Sequence, residues 1–203
     1  MVRTSAAALL ALSLLAGAVA TPASAQTDIS SDQTLAPAGA YKLDHAHSSV
    51  TMKVSHMGLS YYTLRFDGVD ASYSYDPAHP EATKLEASID ANSIDTGDAA
   101  FNRQIASEVF ESGKYPQIRF VSTAVRAGAE GRGTVAGDLT FHGVTKPVTL
   151  DVIFNGAGAD KDHHERMGFS GTAQLRRSDF GAGKYAPLVG DNVSVVMEVE
   201  FTK

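Results

Sequence analysis

The sequence predicts an all-β protein of antiparallel strands, folded as a barrel or a sandwich. Three observations carry this. GDLTFHGVTKPVTLDVIFNG, residues 137–156, alternates apolar and polar side chains on both sides of a turn. The same two-residue period recurs in further runs along the chain, separated by turn clusters. Only one stretch has the spacing of a helix. Side chains along a strand point to opposite faces in turn, so such alternation gives a sheet one dry face and one wet face.

In chain order, Ser49 to His56 places Val50, Met52, Val54 and His56 on one face, and Gly68 to Tyr75 groups Val69, Ala71, Tyr73 and Tyr75. Lys84 to Asn92 groups Leu85, Ala87, Ile89 and Ala91. From Asp98 to Phe110, Phe101, Ile105 and Val109 recur every fourth residue, a helical stripe stopped by Gly113 and Pro116. Ile118 to Val125 carries apolar residues on both faces and reads as a strand buried on both sides. In the hairpin, Leu139 and Phe141, then Val148, Leu150, Val152 and Phe154, are dry. Asp138, Thr140, Thr149 and Asp151 are wet, with Ile153 the exception. Met167 to Leu175 (with Phe169) and Asn192 to Phe201 (with Val195 and Met197) complete the set. Turn signals separate the runs at Asp76-Pro77, Gly128 to Gly133, Gly156 to Asp162 and Gly181 to Gly183. A barrel leaves no strand edge open to aggregation, which favours closure.

Residues 1–25 have Arg3, an apolar run from Ala6 to Ala20 and the small-residue end Ala23-Ser24-Ala25. This predicts a secretory signal peptide cut before Gln26. The run falls short of the roughly 20 residues that span a bilayer. Residues 26–40 read as a flexible leader and residues 41–203 as the barrel domain. The expected location is the periplasm, with no integral membrane span. There is no Cys, so thiol chemistry, iron–sulfur clusters and disulfides are excluded. Loss of Arg3 takes the formal net charge from −6 to −7, which argues against nucleic acid and anionic lipid headgroups as main partners.

The common nucleophile, phosphate-loop and zinc-protease motifs are missing, so the protein is not expected to be an enzyme. His45 and His47 would share a face on a strand, and Asp160 to Glu165 gathers imidazoles and carboxylates. Neither supplies the three or four converging ligands of a metal site, and no metal is expected. Arg177, in Arg176-Arg177-Ser178-Asp179-Phe180-Gly181, has two readings: a basic handle for a headgroup at a barrel mouth, or a salt bridge with an Asx turn.

Together these residues resemble the YceI-like family, the polyisoprenoid-binding, lipocalin-like secreted proteins of bacteria. Tyr41-Lys42-Leu43-Asp44, His47-Ser48, Val54 to Gly58, Ser93 to Gly97 and Lys114 to Phe120 carry the match. So do Gly137 to Val148, Arg177 to Gly181 and Gly190-Asp191. The resemblance implies an eight-stranded antiparallel barrel with a short helical segment, an elongated apolar interior and a bound isoprenoid or similar long-chain amphiphile. It implies no cofactor and no settled catalytic activity, and it allows a homodimer. Many members have Arg-Asp-x-His-Leu in the helix, where this chain has Phe101-Asn102-Arg103-Gln104-Ile105.

The function expected is therefore a periplasmic carrier for a long apolar lipid. Its candidate lining is Val50, Met52, Val54, Leu139, Phe141, Leu150, Val152 and Phe169. His47 and Arg177 are candidates for the headgroup or mouth. An enzyme using His47 or His56 as acid or base, and a ligand-free barrel filled by its own side chains, are the alternatives.

Overall fold

The structure is a computed structural model that describes residues 29–203. The predicted signal peptide, residues 1–25, lies outside the described residues, as does the start of the predicted leader. The strands are β1 (Gly39–Leu43), β2 (Ser49–His56), β3 (Ser60–Phe66), β4 (Val69–Tyr75), β5 (Lys84–Asp90) and β6 (Ile94–Asp95). The helix α1 (Ala99–Glu108) follows, then β7 (Gln117–Ala127), β8 (Arg132–Phe141), β9 (Val144–Ala159), β10 (Glu165–Arg176) and β11 (Val189–Thr202).

These segments form a closed, antiparallel barrel of eight strands. The ring runs β1-β4-β5-β7-β8-β9-β10-β11 and closes through β1 on β11. Three strands are broken into two segments. β1 and β2 both pair with β11, at Leu43↔Phe201 and Ser49↔Glu198. β3 pairs with β2 as β4 pairs with β1, and β6 with β3 as β5 with β4. The first break is a single 3-10 turn, His45–His47, where the Asp44 carboxylate accepts from the Ala46 N–H at 2.9 Å. His45 and His47 are thus on a turn and do not share a strand face. The second break, at Gly68, brings backbones so close that a Cβ there would lie 2.9 Å from Ser93 Cβ.

The expectation that the Ile118–Val125 strand is buried on both sides is overturned. A β-bulge between Ser122 and Ala124 shifts the register of β7 against β8. Ile118 and Phe120 face inward before it, and Val125 faces inward after it. Apolar residues at both parities come from the inserted residue. Inside, the Phe120 ring lies across Gly137, where any Cβ would sit 2.4 Å from Phe120 Cζ.

α1 closes one end of the barrel. The Asp98 carboxylate accepts the N–H groups of Ala100 and Phe101 and so starts the helix. Arg103 is exposed, as the stripe predicts, but Phe101, Ile105 and Val109 are only half-buried. The residues fully inside are Ala106 and Phe110. Phe110 meets Phe66 and Phe141 at ring-centroid distances of 5.7 and 5.4 Å, and Phe101 meets Tyr62 edge-on at 5.6 Å.

The described part of the leader crosses the opposite end. Ser30 bridges to Ala157, Ala36 is buried, and the Tyr41 and Tyr75 hydroxyls donate to the carbonyls of Pro37 and Gln33 at 2.7 and 2.8 Å. The barrel therefore has two packed ends. One is built around Val50, Phe66, Ile94 and Phe110, the other around Tyr41, Tyr75, Phe154, Met167 and Phe201.

Candidate functional site

Between the two packed ends the barrel interior is not filled. A cavity of about 270 Å³ runs through it, near the lower end of the roughly 300–1,000 Å³ of small-molecule sites. Val50 and Met52 from β2, Leu139 and Phe141 from β8, Leu150 and Val152 from β9, and Phe169 from β10 border it. Most of these are half-buried rather than buried, because they face empty space instead of other side chains. Val54 is buried, paired between Val193 and Tyr62, and does not border the cavity. The wet face holds as well: Thr149 and Asp151 are exposed, and Ile153 is 37% exposed.

The strands supply these positions by parity alone. Every second residue of each strand points in, and the bulge in β7 keeps the inner set continuous. Tyr73, Val195 and Met197 join the lining from strands whose alternation was already visible in the sequence, and Ile118 joins it from β7, whose alternation the bulge had hidden. β3 was not read as a strand, although Tyr62, Leu64 and Phe66 alternate there; Leu64 and Phe66 are buried. Among the lining residues of the described chain there is no His, Asp or Glu.

Polarity is confined to one end. Gln33, Thr83, Arg126 and Arg132 edge the cavity beside the leader and the β7–β8 turn. Within this end, Tyr73 stacks on Tyr75 at 5.8 Å and meets Phe169 and Phe201 at 5.5 Å each. Burial pushes the Tyr73 phenol above its ordinary pKa, so it stays a neutral hydroxyl in an aromatic wall.

Neither mouth candidate borders the cavity. The Arg177 guanidinium is buried and donates to four backbone carbonyls, those of Gly190, Ala182, Lys184 and Val189, at 2.6–2.7 Å. It ties down the loop between β10 and β11, a structural role, but through backbone carbonyls and not the expected salt bridge, which Arg176 makes with Asp191 at 3.1 Å. His47 sits on the outer surface with Nδ1 2.9 Å from Asp44 Oδ2. Asp44, His47 and Glu200 bring their ligand atoms within 4.8 Å of one another. The cation among them is Arg166, whose Nη1 lies 2.6 Å from Asp44 and 3.0 Å from Glu200, and whose Nε lies 2.9 Å from Asp160. His47 and then Arg166 hold the Asp44 carboxyl well below the usual carboxylate range. The His164 N–H and then Arg166 do so for Asp160.

Sequence reasoning also passed over His142 as a feature. Its ring meets that of Tyr115 tilted at 47° with centroids 4.6 Å apart, and its buried Nε2 has no hydrogen-bond partner. Glu111 Oε1 is 3.3 Å away, close enough for an ion pair but not aligned for a hydrogen bond.

An eight-stranded antiparallel barrel with a dry interior and a single short capping helix defines a class of β-barrel domains with an internal cavity. Residues 41–201 match the YceI-like domain, and the chain belongs to that family. A UPF0312 protein of Pseudomonas putida is 42% identical over 149 residues, covering 72% of this chain and 78% of that one. One from Pseudomonas fluorescens is 39% identical over 163 residues, covering 77% and 82%. Among solved structures, Burkholderia cenocepacia BcnA superposes with a TM-score of 0.70 at 29% identity, over 78% of this chain and 98% of that one. A polyisoprenoid binding domain from Saccharophagus degradans shares the fold, with a TM-score of 0.62 at 18% identity over 80% and 97% of the two chains.

Proposed function

We propose that the protein is a periplasmic carrier that holds a long-chain isoprenoid or similar apolar amphiphile inside its barrel. The observation that carries this is the unfilled, apolar interior between two packed ends. Interiors of this kind that are too apolar to hold water stay empty or take an apolar guest. Each isoprene unit that enters contributes on the order of 3–4 kcal/mol gross, at about 0.8 kcal/mol per buried CH2. A few units offset the roughly 4–15 kcal/mol cost of association.

The likeness to the polyisoprenoid binding domain of Saccharophagus degradans supports this reading at the level of the fold. Binding suits the lining better than catalysis does, since the described wall has no carboxylate or imidazole to move a proton. The polar edge at Gln33, Thr83, Arg126 and Arg132 suits a headgroup at that end of the cavity. The periplasmic location rests on the sequence of residues 1–25. N-terminal sequencing of protein from a bacterial periplasmic fraction is expected to begin at Gln26.

Native mass spectrometry of freshly purified protein tests the cargo. A mass increment that organic extraction removes, and that fragments as a prenyl chain, is the expected result. A parent protein with no copurifying lipid, and no uptake of added polyprenol, leaves the ligand-free barrel in its place.

A further inference from the structure

We propose that the barrel end capped by α1 docks on a lipid bilayer, through the β2–β3 hairpin tip and the loop between β10 and β11. This goes beyond the cargo reading and stands on a different surface. Five of the eight exposed large apolar residues among those described gather there. Met57 is 55% exposed, Leu59 82%, Tyr61 73%, Tyr185 45% and Leu188 61%. The two segments are joined, for the Met57 N–H donates to the Leu188 carbonyl at 2.7 Å. Isolated exposed apolar side chains are ordinary, but a joined group on two neighbouring loops marks an interaction site.

Its shape and charge select the partner. The patch is a pair of loop tips, and the turn at Gly58, between Met57 and Leu59, is open enough that a Cβ there would meet nothing within 4 Å. Such tips need a surface that yields to them, which a bilayer provides. Residues 57–61 and 182–188 contain one charged side chain, Lys184. Lys184 Nζ lies 5.0 Å from the Tyr185 ring centroid and 3.4 Å from Glu108, and Lys53 Nζ lies 6.0 Å from the Tyr61 ring. Lysine is depleted from the cores of protein interfaces. Tyr beside Lys, with Leu and Met beyond them, is instead the pattern of a membrane–water boundary, where rings and ammonium groups lie at headgroup depth.

The net charge of −6 argues against an anionic surface only if the charge is evenly spread. The loops at the α1 end balance, with Asp98, Glu108, Glu111 and Asp179 against Arg103, Lys114, Arg177 and Lys184. The turns at the opposite end carry Asp76, Glu81, Glu130, Asp160 and Asp162 against Lys161, with Arg126, Arg132 and Arg166 on the strands beside them. The α1 end is thus the one whose loops are near neutral, so Lys53 and Lys184 beside the apolar tips meet an anionic bilayer without a surplus of acid around them.

The test is flotation of the mature protein with phosphatidylcholine vesicles containing a quarter phosphatidylglycerol. Leu59→Glu with Leu188→Glu is compared with Leu35→Glu and Ile153→Glu, an equal charge change at exposed apolar residues elsewhere. The tip variant is expected to lose at least tenfold in partitioning, and the control to stay within twofold of the parent. Lys53→Gln with Lys184→Gln is expected to weaken binding several-fold, with salt doing the same to the parent. A parent that does not float, or equal losses in tip variant and control, overturns the proposal. So does a parent dimer in light scattering that the tip variant abolishes, since the patch then joins two copies of this chain. Lipid content is measured on the same preparations. Cargo without flotation refutes docking alone, and flotation without cargo refutes the carrier reading alone.

Discussion

If the barrel interior is a true void, truncating its wall and truncating its packed end must cost different amounts. Leu150→Ala and Phe110→Ala make the comparison. Leu→Ala removes three carbons, about 2.4 kcal/mol at roughly 0.8 kcal/mol per carbon if the side chain is fully buried. Leu150 is half-buried and faces the cavity. Its loss widens a space that already exists and breaks few contacts, so about 1 kcal/mol is expected from the lipid-free protein. Phe110 is 3% exposed and wedged between Phe66 and Phe141. Its truncation opens a new hole in a packed cluster, for which about 3–5 kcal/mol is typical. Urea unfolding of delipidated protein measures both, provided the m-values match. In a domain of this size the thermal midpoints fall by roughly 2–4 °C per kcal/mol. Leu150→Ala should also release copurifying lipid while the outward-facing Thr149→Ala retains it. A Leu150→Ala cost equal to that of Phe110→Ala would show the interior to be packed at Leu150 and refute the argument.

Arg177→Met leaves four carbonyls without a donor in a buried loop, so a loss of about 3–5 kcal/mol is expected, with faster proteolysis of residues 182–188. The pH dependence follows from Asp44 and Asp160. Their folded pKa values are depressed, so the stability they contribute is present above about pH 4, the unfolded carboxylate range, and is lost as pH falls through the folded values. Arg166→Gln should flatten the fall in urea midpoint between about pH 5 and pH 2; an unchanged acid limb counts against the cluster. Because Arg166 already sits among Asp44, Asp160 and Glu200, thermal melts with and without a chelator should overlay. A chelator-sensitive midpoint would make Asp44, His47 and Glu200 metal ligands after all.

The sequence by itself determined which side of most strands is dry. Alternation depends only on the chain's local geometry, so Leu139, Phe141, Leu150, Val152 and Phe169 could be assigned to the interior before any partner strand was known. Tyr62, Leu64 and Phe66 carried the same signal and were there to be read. What the tertiary structure decided is how those dry faces meet. The bulge in β7 reverses parity midway, and only pairing against β8 reveals it. Val54 has the right parity but lies in packed structure, because depth along the barrel axis is set by neighbouring strands. The helical stripe was legible, yet Ala106 and Phe110, not Phe101 and Ile105, carry the deepest contacts, since curvature at the barrel end selects which turn is enclosed. Arg177 and His47 depended most on tertiary structure. A charged side chain acts through whatever lies within a few ångströms of it, and those groups came from distant parts of the chain: Val189 and Gly190 for Arg177, and Arg166 and Glu200 for the Asp44–His47 turn.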